Sequence, residues 1–154
     1  MTPSERSPAQ GSLTPSARQD RTRARAWFLQ VHYRWEAEGG TLSLDQALSE
    51  TLNQRLVGPR RIDYLERVVA AFRDRQNDVD DALGLALDNW SMDRLSVMDR
   101  GILRLGITEI LALEDIPAKV AIQEAVRLAE RYGGRESPRF VNGVLDAVFR
   151  SEGG

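Results

Sequence analysis

Residues 102–113 read ILRLGITEILAL and give the clearest indication of how this chain folds. Wound into a helix, they place apolar side chains on nearly every side, which is typical of a helix enclosed by other helices. We therefore predict a central buried helix over residues 95–113. Gly106 lies inside it, where glycine costs about 1 kcal/mol relative to alanine, so we expect a neighbouring helix to come close at this position.

Two more helices are predicted after the central one. Pro117 opens the first, which ends at Tyr132 before the Gly133–Gly134 pair. Proline at the start and glycine just past the end are typical of a helix. Ser137 is the predicted N-cap of the second helix, with Pro138 at its first helical position.

Four helices are predicted before the central one, over residues 16–38, 44–55, 59–74 and 77–90. Ser16, Ser43 and Asn77 are expected N-caps. On the fourth helix, Trp90 shares an apolar face with Leu83. No segment alternates between apolar and polar residues as a strand does, so we predict an all-α fold of about seven helices.

The N-terminal segment differs in composition from the rest of the chain. Residues 1–15 read MTPSERSPAQGSLTP and are rich in proline, serine, threonine and glycine. We predict a disordered tail there and one helical domain over residues 16–150. No apolar run approaches the roughly 20 residues that a bilayer span needs, and no signal peptide is recognisable. We expect no membrane segment and a cytoplasmic protein.

Charge is distributed unevenly along the chain, although the net charge is only -2. Residues 1–26 hold five arginines and two acids, residues 27–116 hold ten basic and sixteen acidic residues, and residues 117–150 hold six basic and four acidic residues. The basic ends can offer a surface to nucleic acid and the acidic middle a surface to a basic protein. Solvated helix faces would give the same pattern, so both interpretations stay open.

The sequence offers no recognisable catalytic centre. It has no cysteine, no GxSxG elbow and no phosphate-binding loop. Asp78, Asp80 and Asp81 lack the downstream glycine and glutamate of a calcium loop, so we interpret them as the acidic first turn of a helix. The single histidine, His32, is expected at the surface or in the packing. We predict a protein without enzymatic activity, cofactor or metal.

Arginines are concentrated at the start of the first helix. Arg18, Arg21 and Arg25 share a stripe about 100° from its apolar face, whereas Arg23 points elsewhere. Basic residues at a helix start oppose the helix dipole, which favours a functional reason for them. We expect the stripe to be displayed for contact with RNA phosphates, with a solvated helix end as the alternative.

The last helix offers two further candidates for RNA contact. Phe140 lies about 90° from the centre of its helix's apolar face, where the ring can stack on a base or pack under the first helix. The Gly133–Gly134 turn before this helix either holds a phosphate on its backbone N–H groups or serves only as a turn.

Several segments resemble the NusB transcription-antitermination family. They are RTRARAWFLQVHYRWE (21–36), SVMDRGILRLGITEIL (96–111), IPAKVAIQEAVRLAERYGG (116–134) and SPRFVNGVLDAV (137–148). The resemblance covers residues 18–150 and is specific in the C-terminal half. Over residues 39–90 it rests mainly on helix order and spacing.

The resemblance implies two small packed helical subdomains and a function without catalysis. Proteins of this family bind boxA, a single-stranded element in the leader and spacer of ribosomal RNA transcripts. They do so with NusE, a small-subunit ribosomal protein, in a complex on RNA polymerase that suppresses premature termination. An acidic middle suits a basic ribosomal protein as partner.

The resemblance also implies site residues. Tyr33 is similar to the family's NusE-facing tyrosine, and Asn142 belongs to the signature but is left out of the site because buried asparagines are usually structural. Pro138 replaces a polar residue common in the family, which puts the local RNA contacts in doubt. The implied RNA-binding residues are Arg18, Arg21, Arg23, Arg25, Lys119, Gly134, Arg139 and Phe140.

Two other functions remain open at this stage. Some rRNA cytosine methyltransferases carry a similar accessory domain, so the chain can be a detached RNA-binding module of that kind. A helical protein-interaction module without RNA binding is the other alternative. Some proteins that resemble the family form homodimers, and the sequence does not decide whether this one does.

Overall fold

The computed structural model describes residues 13–88 and 90–153, so most of the predicted N-terminal tail lies outside the described residues. Within them the chain forms seven α-helices and no strand, which confirms the all-α prediction. A short 3-10 turn, Met92–Arg94, precedes the fifth helix. The helices are α1 (Pro15–Ala37), α2 (Leu44–Gln54), α3 (Pro59–Asp74), α4 (Gln76–Ala86), α5 (Val97–Ala112), α6 (Ala118–Tyr132) and α7 (Ser137–Ser151).

The helices form two small packed groups that share one hydrophobic core. Helices α1, α2 and α3 pack on one another, α4 to α7 do the same, and α5 joins the groups by packing on both α1 and α3. Residues 101–109 of α5 are all buried, as expected for a central helix. In the described part of the chain, no helix is long and apolar enough to span a bilayer.

Gly106 is the point where α7 comes closest to α5. A Cβ built there would lie 2.7 Å from Cδ1 of Leu145, which is fully buried. This confirms the close approach predicted from the sequence. A larger side chain at this position would force Leu145 to move within a tightly packed interior.

The start of α1 differs from the prediction, whereas the start of α2 agrees with it. Thr14 caps α1 by accepting a hydrogen bond from the Ala17 N–H at 3.1 Å, so the prediction of Ser16 as cap was wrong. Proline fits the first helical position because its missing N–H would have had no helical partner there. Ser43 caps α2 as predicted, in a reciprocal capping box with Gln46.

Helix α4 starts slightly earlier than predicted and ends four residues sooner. It begins at Gln76, which places Asn77 inside it, and it ends at Ala86. Asp88 has a φ of 58°, in the left-handed region that interrupts a right-handed helix. Trp90 therefore lies beyond the helix and is 58% exposed, so the prediction that it shares a face with Leu83 was wrong.

The start of α7 also departs from the prediction. Ser137 is its first helical residue rather than its N-cap, and the cap position belongs to Glu136. The buried Ser137 hydroxyl instead accepts a hydrogen bond from the Gly134 N–H at 2.9 Å. This bond closes the turn between α6 and α7.

Candidate nucleic-acid interface

A groove of about 740 Å³ runs between α1 and α6. It lies where the arginine-rich start of α1 meets the C-terminal half of α6. Because the two helices are far apart in sequence, only the fold brings these side chains together. The polar side chains that matter below are Arg18, Thr22 and Arg23 from α1, and Arg127, Arg131 and Tyr132 from α6.

The rim of the groove is positively charged. Arg23, Arg127 and Arg131 are all exposed there. Arg127 has one long ion contact, 3.9 Å to Glu124, and Arg18 donates to the backbone carbonyl of Leu13 at 2.7 Å. Guanidinium groups held in this way keep most of their donors for a ligand and suit the phosphates of a nucleic acid.

Tyr132 adds an aromatic ring to the basic rim. It is 42% exposed, and the Arg131 guanidinium lies 5.5 Å from the centre of its ring. A basic groove with an exposed aromatic ring is the usual arrangement for single-stranded nucleic acid. Sequence reasoning used Tyr132 only to mark the end of a helix. The neighbouring Arg131 was the signal that could have singled it out.

Arg25 lies beneath the groove and is not displayed. Its side chain is 1% exposed, with Nε 2.7 Å from a Glu109 oxygen and Nη1 2.9 Å from a Glu124 oxygen. The prediction that Arg25 is displayed with Arg18 and Arg21 for phosphate contact was therefore wrong. The reason is that α5 and α6 each bring a carboxylate against this face of α1.

A buried polar network surrounds Arg25. Tyr64 of α3 donates its hydroxyl proton to Glu109, and Thr22 donates to Glu124 at 2.5 Å. Burial raises the pKa of Glu109, and the Arg25 guanidinium opposes that rise. Burial alone would lower the pKa of Arg25, but the neighbouring carboxylates raise it overall. The network ties α1 to α3, α5 and α6 and forms the floor of the groove.

The other arginines of α1 separate onto two sides of the helix. Arg18 and Arg23 line the groove, although the helical wheel had set Arg23 apart. Arg21 turns toward α3, where it lies 3.4 Å from Asp115 and 4.9 Å from the centre of the Tyr64 ring. Arg67 binds the same Asp115 carboxylate and lowers its pKa.

The predicted site residues in the C-terminal half do not line the groove. Lys119 and Arg139 are exposed, and the Gly134 N–H is occupied by Ser137 rather than open to a phosphate. Phe140 is half-buried and packs against the hydrophobic core. Asn142 is exposed on α7, which corrects the expectation that it is buried.

A second surface lies further along α1, around Tyr33. Its side chain is 58% exposed. The groove lining on α1 ends at Ala26. Seven further residues at 1.5 Å each place Tyr33 about 10 Å from the groove along the helix. The predicted RNA surface and the predicted protein-binding surface are therefore distinct parts of one helix.

Charged and aromatic side chains next to Tyr33 hold this end of α1 in place. Glu36 pairs with Arg100 and Arg104, and Arg104 also pairs with Asp80 of α4 at 2.9 Å. The buried His32 Nε2 accepts from Arg104 at 3.1 Å. Burial and then the Arg104 charge lower the pKa of His32 to about 3, so the imidazole is neutral at pH 7.

The acidic run on α4 has a structural role in ion pairing. Asp78 pairs with Arg75, and Asp80 pairs with Arg104. Among the described residues, no group of three or more histidine, aspartate or glutamate side chains is placed to hold a metal ion.

Comparison with known proteins gives a consistent result. Residues 22–150 match the model of the NusB family. The transcription antitermination protein NusB of Methylacidiphilum infernorum is 34% identical over 133 residues, covering 86% of this chain and 92% of that protein. The NusB of Pseudothermotoga lettingae is 39% identical over 109 residues, covering 71% and 77%.

Solved structures agree in fold. T. maritima NusB superposes with a TM-score of 0.74 at 35% identity, covering 84% of this chain and 90% of that one. A chain from a structure of the antitermination factors NusB and NusE in complex with dsRNA gives a TM-score of 0.76 at 25% identity. That match covers 86% of this chain and 98% of the other.

Proposed function

The chain belongs to the NusB family, and from this premise we propose that it is a non-catalytic, RNA-binding transcription antitermination factor. The observation that carries the proposal is the groove between α1 and α6, where four arginines and an exposed tyrosine meet. Positive charge attracts the backbone of any RNA, and an aromatic ring stacks on an unpaired base. The ligand we propose is a single-stranded boxA-like element of an rRNA leader or spacer.

Within the groove we assign two kinds of contact. Arg18, Arg23, Arg127 and Arg131 bind phosphates, and Tyr132 stacks on a base. The remaining predicted RNA residues, Lys119, Arg139 and Phe140, lie outside the groove lining. They stay candidates for contacts with RNA that continues past α6 and α7.

The proposed protein partner is NusE, and the proposed surface for it is the exposed Tyr33 face of α1. A structure of NusB with NusE and RNA exists for a protein of the same fold at 25% identity. We place the protein in the cytoplasm, acting with NusE on transcribing RNA polymerase.

The proposal is tested by titrating a fluorescein-labelled boxA-like RNA at several salt concentrations, with and without purified NusE. We expect salt-dependent binding that NusE tightens. Arg127→Gln/Arg131→Gln should reduce the salt slope by about 1.4, since each phosphate contact with a single strand contributes about 0.7. The matched control, Arg73→Gln/Arg94→Gln, removes two exposed arginines outside the groove and should leave the slope unchanged.

Two results would contradict the proposal. If the wild-type protein binds no RNA with or without NusE, the RNA-binding function is wrong. If it binds but the groove variant and its control behave alike, the RNA lies on another surface. Tyr33→Ala should reduce the effect of NusE while RNA binding in its absence stays unchanged.

A further inference from the structure

Two arginines at the start of α3 lie against the first turn of α1, on a part of the surface outside the groove. Resting on the proposed RNA-binding function, we propose that Arg60 and Arg61 are a second contact for the RNA backbone. In this arrangement the RNA leaves the groove at Arg18 and continues over the first turn of α1 onto the two arginines.

The contacts of the pair fix its position. Arg60 Nε lies 3.0 Å from Asp20 Oδ2, and Arg60 Nη2 donates to Ser16 Oγ at 3.0 Å. Arg61 Nε lies 3.5 Å from the other Asp20 oxygen. Two guanidinium groups therefore share one carboxylate, and among the described residues no second carboxylate pairs with them.

Most of the donors of the pair remain open to solvent. A guanidinium has five N–H bonds, and within the described part of the chain Arg60 Nη1 and both terminal nitrogens of Arg61 have no protein partner. The Arg60 side chain is 68% exposed and that of Arg61 is 36% exposed. Arg67, nearly two turns further along α3, differs because both of its terminal nitrogens donate to Asp115.

Helix stability does not account for the pair. Arg60 and Arg61 occupy the first turn of α3, where positive charge opposes the helix dipole. A structural link between α1 and α3 would need only one arginine on Asp20. Arg61 lies farther from Asp20 than Arg60 does, so it adds positive charge without adding a short bond to the protein. Phosphate binding gives a reason for both residues.

The pair is continuous with the groove. Ser16, which Arg60 contacts, is two residues from Arg18, which lines the groove. A helix is about 10 Å across, so a single strand crosses α1 within a few nucleotides. The path runs over the start of α1.

Two labelled RNAs test this inference, namely a short boxA-like RNA and the same RNA extended by uridines at both ends. Arg60→Gln/Arg61→Gln should weaken binding of the extended RNA several-fold and lower its salt slope by about 1.4. Binding of the short RNA should not change. The control Arg73→Gln/Arg94→Gln removes the same charge elsewhere and should leave both RNAs unaffected.

Asp20→Asn separates phosphate contact from a structural role. It breaks the same ion pairs as the arginine variant but changes the charge in the opposite direction. We expect tighter binding of the extended RNA and a steeper salt slope. Weaker binding in both Asp20→Asn and the arginine variant would overturn the inference, because it would make the ion pairs structural.

The test also distinguishes this inference from the proposed function. If Arg127→Gln/Arg131→Gln weakens both RNAs while Arg60→Gln/Arg61→Gln weakens neither, the second contact is wrong and the groove stands. If the wild-type protein binds neither RNA, both proposals fail.

Discussion

Arg25 is a cation held in the interior between two carboxylates, one from α5 and one from α6. Removing it would leave Glu109 buried without an ion pair and Glu124 with only its long contact to Arg127. Breaking a buried ion pair by deleting one partner costs about 3–5 kcal/mol. We expect Arg25→Gln to lower the free energy of unfolding in urea by about that amount.

Arg23→Gln is the matched control for Arg25, since it makes the same change two residues away on the exposed groove side. Its effect on unfolding should stay within about 0.5 kcal/mol. Equal, small effects of the two substitutions would mean that the buried network does not hold α1 in place.

His32 makes stability depend on pH in a defined direction. Its pKa is about 3 in the folded protein and 6.5 when unfolded. Below pH 6.5 the unfolded chain therefore binds a proton that the folded protein excludes. Stability falls as pH drops from 6.5 toward 3, by up to about 1.4 kcal/mol per pH unit from this residue.

His32→Gln removes this titration and tests it. Urea unfolding of both proteins between pH 6.5 and 5 gives two slopes of unfolding free energy against pH. We expect the wild-type slope to exceed the variant's by about 1 kcal/mol per pH unit near pH 5. Equal slopes for the two proteins would show that His32 takes up a proton in the folded protein as readily as in the unfolded chain.

The sequence could indicate an arginine-rich helix but not which arginine is buried. Arg18, Arg21 and Arg25 share a stripe on the helical wheel, yet only Arg25 is fully buried. The two acids that enclose it lie 84 and 99 residues away in sequence. Burial of a charge depends on long-range partners, which local periodicity does not contain. The family resemblance likewise grouped Arg25 with the RNA-binding arginines.

At the scale of helices, the glycines of α4 and α5 show two opposite situations. A Cβ at Gly84 meets nothing within 4 Å, whereas one at Gly106 meets Leu145. Gly84→Ala should raise the unfolding free energy by about 0.5–1 kcal/mol through helix propensity. Gly106→Ala should lower it by about 1 kcal/mol, because overpacking costs more than the gain in propensity.

Thermal or urea unfolding of the two alanine variants checks this pair. A stability gain at Gly106 equal to that at Gly84 would mean that Leu145 moves aside freely and that α5 and α7 are not closely packed there.

The seven helices could be predicted from apolar periodicity, but several of their ends could not. Thr14 and Ser16 are both acceptable caps by type, and the structure chooses Thr14 because Pro15 then takes the first helical position. Helix α4 ends before the predicted Trp90 because Asp88 adopts a positive φ, which aspartate tolerates. Residues 85–90 contain no proline or glycine that would have predicted the end of the helix before Trp90.

At the scale of the whole molecule, the fold assembles a groove from two segments more than 100 residues apart. The start of α1 and the end of α6 each looked basic in sequence, but their facing arrangement depends on α5 holding the two helical groups together. For this reason the sequence did not predict Tyr132 as a site residue. It predicted Lys119, Arg139 and Phe140 instead, and these do not line the groove.

The groove between α1 and α6 is the proposed RNA-binding surface, and the single substitution Tyr132→Ala tests whether RNA binds there. The measurement is the Kd for a labelled boxA-like RNA, with Trp90→Ala as a control that also removes an exposed aromatic ring. Loss of one stacked base costs about 1–3 kcal/mol, so Tyr132→Ala should weaken binding by about 5-fold to 150-fold with an unchanged melting temperature. Equal affinity of wild type, Tyr132→Ala and Trp90→Ala would contradict the claim.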